Sequence, residues 1–257
     1  MKLFIFEGSK REPRLFTTLE KLFFEAKEDD QRIVCCYNSN IYSLYQHYMR
    51  YGEGADIISI LREIMKVRDE NPFTDDMLVS DFAEIYLFFD YDFHDSRYTT
   101  TEINSHLEDM LNVFNDETEN GKLYISYPMI EALRYTKILP DEDFNQYIVN
   151  RADSHDFKRI AAEFSGYTTG WDFITINEDT SIEKYPQIYN NWKLLIHQHV
   201  VKANWLCTED EEVHSVSQLD IFDSQCKKYV IPHDSVSILS AFTMFLYDYF
   251  GSKIVAE

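Results

Sequence analysis

The chain opens on an apolar run, Lys2–Phe6, that breaks at Glu7-Gly8 and reads as a buried first strand. Glu12-Pro13 then opens a helix, with proline at its tolerated first turn. Leu15, Leu19, Leu22 and Ala26, flanked by Phe16 and Phe23, keep the helical spacing. Residues 32–37, with Ile-Val-Cys-Cys at their centre, predict a second short strand. Helical segments at Ile41–Tyr51 and 56–67 follow, then a polar bridge over 68–76. Residues 82–89 form the third predicted strand, closed by Asp90-Tyr91-Asp92. Thr99, Thr100 and Thr101 with Glu102 cap a helix whose stripe is Ile103, Leu107, Met110, Leu111 and Phe114. A turn at 116–121, a fourth strand at 123–126 and a short helix at 129–135 complete this part.

Strands alternating with helices predict an α/β fold, a mainly parallel four-stranded sheet with helices on both faces. After Leu139-Pro140-Asp141 the pattern changes. Residues 141–165, 185–206, 215–228 and 233–250 read as helices, and only 173–176 carry a strand signal. The expectation is an α/β domain over 1–138 and a mostly helical region over 139–257. The second region either packs on the first or offers a surface for self-association.

Composition narrows the class. Hydrophobic residues make up 45% and aromatic ones 16% of 257 residues, enough apolar surface for a core and too much for a disordered chain. The formal net charge of −21 argues against a protein that grips duplex nucleic acid through its whole surface, because phosphate neutralisation dominates such affinity. It leaves three readings: a solubilising acidic surface, a metal-dependent site, or an acidic face that docks onto a basic partner. Cys35, Cys36, Cys207 and Cys226 show neither CxxC spacing nor a disulfide framework. The first apolar run is too short for a signal peptide, and no window reaches the roughly 18 apolar residues of a membrane span. A reduced, cytoplasmic protein without membrane contact is expected.

The chemistry concentrates past the strand ends. Two carboxylates one residue apart, Asp90 and Asp92, follow a strand of buried character, and ligand sites of parallel sheets lie beyond the carboxyl ends of their strands. That spacing suits a hard cation such as Mg²⁺, which takes one or two carboxylates and keeps several waters. The same Asp-x-Asp pattern also serves as a turn or a helix cap. Two further polar pieces follow strands: Glu7-Gly8-Ser9-Lys10-Arg11-Glu12-Pro13, and Ser126-Tyr127-Pro128 with Glu131. His94 either assists a metal or is a surface loop residue. His197 and His199, two apart on a helix, face different directions. There is no GxSxG, Walker loop, HExxH or GxGxxG.

In their order and spacing these pieces resemble the Toprim domain of topoisomerases, DnaG-type primases and OLD-family nucleases, with Glu-Gly ending the first strand and Asp-x-Asp ending the third. Glu7, Gly8, Glu12, Pro13 and Phe16 together resemble the fuller form found in RloB-like proteins of bacterial anti-phage defence, over roughly residues 1–135. The resemblance implies that Asp90 and Asp92 hold Mg²⁺ or Mn²⁺ and that Glu7 is the metal-linked general acid/base of phosphodiester cleavage. It makes Glu12 and Glu131 candidate outer ligands for a second metal. Lys10 and Arg11 depart from the small residues common in related loops; they either contact substrate phosphate or are simply exposed.

The expected function is therefore a Toprim endonuclease acting on DNA or RNA, tRNA included, as a toxic effector gated by a partner. The rival is an acidic binding subunit that docks onto a sensor ATPase without catalysis of its own; with no Walker motif here, ATP sensing would lie in that partner. Toprim effectors often need assembly to work, which makes a homo-oligomer one option and leaves the oligomeric state open. A haloacid-dehalogenase-type phosphotransferase is a third option, but it places its DxD near the first strand rather than the third.

Overall fold

The three longest apolar runs pair side by side. In the computed structural model, which describes residues 1–24, 31–52, 54–209 and 213–255, β1 (Lys2–Phe6) lies between β2 (Arg32–Cys36) and β3 (Glu84–Asp90), parallel to both. Helix α1 (Arg11–Phe23) follows β1; α2 (Ile41–Tyr51) and α3 (Ile57–Met65) link β2 to β3. Ala26, expected to extend the α1 stripe, lies outside the described residues. Asn40 and Asp56 cap α2 and α3 by accepting the N–H groups of Ser43 and Ser59, so α3 begins one residue later than its apolar pattern suggests. Helix α4 (Thr100–Val113) starts at the expected Thr99–Glu102 capping box.

The sheet has five strands rather than four, in the order β2-β1-β3-β5-β4. The extra one, β4 (Asn115–Asp116), doubles back antiparallel onto β5 (Gly121–Ser126), where only a turn is legible from sequence. Two residues are too few to show an alternation. β5 runs parallel to β3 with Asp90 opposite Ser126. Gly121, at φ +113°, admits no side chain: a Cβ there would sit 2.8 Å from a Leu87 methyl and 3.0 Å from an Ile85 methyl.

The remainder of the chain is less helical than its pattern suggests. The stretch expected as one helix over 141–165 comprises a 3₁₀ turn at Phe144–Gln146, β6 (Ile148–Asn150), α5 (Arg151–Ser154) and α6 (Phe157–Phe164). Residues 129–135 contain a 3₁₀ turn, Ile130–Arg134. Residues 173–176 form no strand: side chains of α7 (Tyr185–Thr208) take their carbonyls, with Asn191 Nδ2 donating to Phe173 O and Trp192 Nε1 to Ile174 O. Helix α8 (Gln218–Gln225) runs through a π-turn into α9 (Ile231–His233). β7 (Ser235–Ser237) pairs antiparallel with β6; α10 (Ala241–Phe250) follows, and a 3₁₀ turn over Gly251–Ile254 buries Ile254 in the core.

Strand alternation puts Phe4, Phe6, Tyr86, Phe88 and Tyr124 on one sheet face. Helix α10 lies against it. Phe242 stacks on Phe88 at 4.9 Å and on Phe6 at 5.9 Å, and Phe245 meets Tyr86 at 4.9 Å and Phe88 at 5.2 Å. Phe16 of α1 adds a contact to Phe4 at 4.2 Å. The later helices thus share one hydrophobic core with the sheet. Burying each such ring contributes about 1.5–3 kcal/mol, and each aromatic pair about 0.5–1.5 kcal/mol more. No helix among the described residues is long and apolar enough to cross a membrane.

Candidate active site

The parallel register fixes where the carboxylates meet. Phe6 pairs with Phe88, and the Glu7 N–H donates to Phe88 O at 3.1 Å, so the chain leaves β1 two residues before β3 ends at Asp90. Glu7 Oε2 then accepts the backbone N–H of Asp90 at 2.9 Å. The first and third strands therefore hand their acidic ends to each other, the juxtaposition expected from the sequence.

The Asp-x-Asp segment is held by its middle residue. Tyr91 is buried; its hydroxyl donates to Asn104 Oδ1 at 2.5 Å, its carbonyl accepts the Tyr42 hydroxyl, and its N–H donates to Ser126 O at 3.0 Å. Asp92 takes up a left-handed conformation at φ +46°, tolerated by aspartate more readily than by most residues. The next turn closes through Asp95 N–H to Asp92 O, and Asp95 is clamped by Arg97 at 2.5 Å and by Asn40 Nδ2 at 3.1 Å. Of these neighbours, Asp95 and Arg97 are engaged with each other, leaving Asp92 to the site.

Glu12 is more than an N-terminal helix charge. It is only 9% exposed, and its Oε1 accepts the Gly8 N–H at 3.2 Å. A Cβ on residue 8 would come within 3.0–3.1 Å of both Glu12 carboxylate oxygens, so glycine makes the room that lets Glu12 fold back over the loop. Glu131, 5% exposed in the 3₁₀ turn after β5, joins Glu7 and Glu12 in lining a cavity of about 600 Å³. Gly8, Lys10, Arg11, Asn40 and Lys158 complete much of its wall; Asp90 and Asp92 are not among the lining residues. All five acidic candidates are thus gathered at one sheet edge, three facing the cavity and two beside Glu7. Lys10 is exposed at the mouth, whereas Arg11 is half-buried with its guanidinium 4.6 Å from the Trp171 ring.

Crowded burial raises their proton affinities. Burial pushes the Glu7 carboxyl well above its ordinary range and the Asp92 charge adds to it, while the Asp90 N–H pulls it back. Asp90 is pushed up strongly by burial, then by Glu7 and Asp92. Burial also raises Asp92, against a lowering by His94. It raises Glu131 too, opposed by the Glu131 N–H, Lys158 and Arg11. Among the described residues no lysine or arginine is ion-paired with Glu7, Asp90 or Asp92. Buried carboxylates without a cation are costly. Their oxygen donors match a hard divalent ion. Among the described residues no group of three His, Cys, Asp or Glu side chains is gathered closely enough to enclose an ion.

Sequence reasoning missed Lys158 and the 38–40 loop. Lys158 lies on α6, far along the chain, and carries no local signal. Asn38-Ser39-Asn40 was legible as a polar break at a strand's carboxyl end. The His94 ring lies 5.6 Å from that of His155, a pairing no spacing predicts.

The architecture is that of an α/β protein with a carboxylate-lined cavity beyond the carboxyl edge of a mainly parallel sheet. A scan against protein-family models gives no match, and comparisons with curated proteins and with solved structures give none either.

Proposed function

We propose that this protein is a divalent-metal-dependent nuclease of Toprim type that cleaves phosphodiester bonds in DNA or RNA. The observation that carries the reading is the bond from the Asp90 N–H to Glu7 Oε2, which joins the acidic ends of β1 and β3 at one point. Asp90 and Asp92 would hold Mg²⁺ or Mn²⁺, with Glu12 and Glu131 as outer ligands. When bound, such an ion offsets negative charge on phosphoryl oxygens and lowers the pKa of its water. The raised proton affinity of Glu7 suits a group that gives and takes a proton, and Oε1 is the oxygen left for it while Oε2 stays on the Asp90 N–H. Gly8 keeps the loop thin so that Glu12 and the substrate reach the same space. The acidic surface supports regulation by a basic face of a partner, an ATPase sensor in an anti-phage system being the kind the motif resemblance suggests.

The test is incubation of the purified protein with supercoiled plasmid, single-stranded DNA and tRNA in Mg²⁺ or Mn²⁺. Nicking or cleavage is expected in either ion, to stop with chelator, and to fall by at least about 100-fold in Glu7→Gln, the range of a lost general acid/base. Wild type and Glu7→Gln equally inert on all three substrates would sink the proposal.

A further inference from the structure

A cluster of cations sits beside the acidic cavity, although acidic residues outnumber basic ones by 45 to 24 in the chain. Lys10, Arg11 and Lys158 line the cavity with the carboxylates. Arg134, in the same 3₁₀ turn as Glu131, brings its guanidinium over the Trp171 ring at 5.7 Å, and Arg11 shares that ring at 4.6 Å. Trp171 is only 7% exposed, so it braces the two guanidinium groups and offers no face for a base to stack on.

None of these four cations is ion-paired among the described residues, and Arg134 Nε is buried without a hydrogen-bond partner. Elsewhere basic side chains find acids directly: Lys122 meets Asp248 at 3.1 Å, Arg151 meets Asp234 at 2.7 Å and Arg159 meets Glu163 at 2.9 Å. Two guanidinium groups on one ring repel each other. Burial lowers the Arg134 pKa, Glu131 pulls it back, and Arg11 lowers it again. Such a group is completed by an anion with several oxygens, and planar guanidinium forks match phosphate.

Resting on the nuclease reading, we infer that Arg11, Arg134 and Lys158, with Lys10 at the mouth, form a short phosphate track that feeds a flexible single strand into the carboxylate cavity. The track spans few phosphates and sits on a body of net charge −21, which repels an extended polyanion. A scissile phosphate must also descend into a cavity of about 600 Å³. A splayed single strand does this readily; a stacked duplex must first be unpaired.

The experiment measures equilibrium binding of fluorescent single-stranded DNA, single-stranded RNA of the same sequence and the corresponding duplex to Glu7→Gln in chelator. Cleavage is absent there, so binding is read apart from catalysis. Single strands are expected to bind more tightly than duplex. With about three phosphates contacted, the slope of log affinity against log salt is about −2, or about 16-fold weaker binding between about 50 and 200 mM salt. Lys158→Glu, at an exposed position that leaves folding intact, and Arg134→Gln should each weaken binding and flatten the slope by at least about 0.7. Arg50→Gln, on α2, should change neither. Comparison of the DNA and RNA strands identifies which backbone the track prefers. Duplex bound as tightly as single strands, affinity unchanged in both track variants, or no binding by any strand overturns the inference. Cleavage by wild type that survives such a result leaves the nuclease reading standing, and binding without cleavage does the reverse.

Discussion

Glu7→Gln offers a test on stability as well as on activity. Glu7 is buried among acidic neighbours, and its Oε2 accepts the Asp90 N–H. Glutamine keeps an oxygen for that bond and removes one charge. Two unit charges about 4 Å apart at an effective dielectric of about 20 repel by about 4 kcal/mol. Relaxation and partial protonation reduce this, and a gain of about 1–2 kcal/mol is expected for the metal-free variant near neutral pH, or about 2–8 °C in Tm for a chain of this size. The pH dependence has a definite sign. Because the folded pKa of Glu7 is raised, the folded state binds more protons than the unfolded chain between the ordinary glutamate value of about 4.3 and the raised one. Wild-type stability therefore falls as pH rises above the ordinary glutamate value, so the Glu7→Gln advantage should be larger at about pH 8 than at about pH 5. An ion at about 100 times its Kd stabilises by about 2.7 kcal/mol, and because Asp90 and Asp92 remain in Glu7→Gln, Mg²⁺ should raise the stability of both proteins. Urea melts with chelator or with Mg²⁺, at both pH values, measure all of this. A metal-free Glu7→Gln that is less stable than wild type at about pH 8 would refute the reasoning, because the cluster would then not be under electrostatic strain.

Three further outcomes follow from packing. Gly8→Ala places a methyl 3.0–3.1 Å from both Glu12 oxygens and displaces that carboxylate, so cleavage should drop at least about tenfold while the melting temperature moves little; unchanged turnover would remove Glu12 from the site. Phe245→Ala should lose about 3–5 kcal/mol in urea unfolding, since the ring contacts Phe4, Tyr86, Phe88 and Tyr124 across the sheet face. Gly121→Ala combines φ +113° with a 2.8 Å clash on Leu87 and should cost about 2–4 kcal/mol by the same measurement.

The strands that carry the acidic ends were legible because a parallel sheet buried on both faces needs unbroken apolar runs, and β1 and β3 are such runs. The α4 start was equally clear from Thr99 and Glu102, a local device with its own pattern. What failed was decided by distant partners. Residues 173–176 have strand-like composition, yet Asn191 and Trp192 of α7 supply the hydrogen bonds a neighbouring strand would have given. β6 and β7 exist through each other, and neither three-residue piece is long enough to declare itself. In the site, Glu7 and Asp90 could be matched because register follows from the strands. Lys158, Arg134 and Trp171 meet there through packing of the later helices and turns, which no spacing encodes.

Helix α10 has a consequence for biogenesis. The rings of Phe6, Phe88 and Tyr124 acquire their cover from Phe242 and Phe245, synthesised long after the last strand of the sheet. Phe16 of α1 covers only the Phe4–Phe6 end, so a nascent chain paused before α10 leaves Phe88 and Tyr124 without these partners, a surface that recruits chaperones or sticks to its copies. Helix α10 also reaches the strand-end loops, with the Ala241 N–H donating to Ser126 Oγ opposite Asp90. A chain that lacks α10 lacks this anchor at the edge where the carboxylates gather.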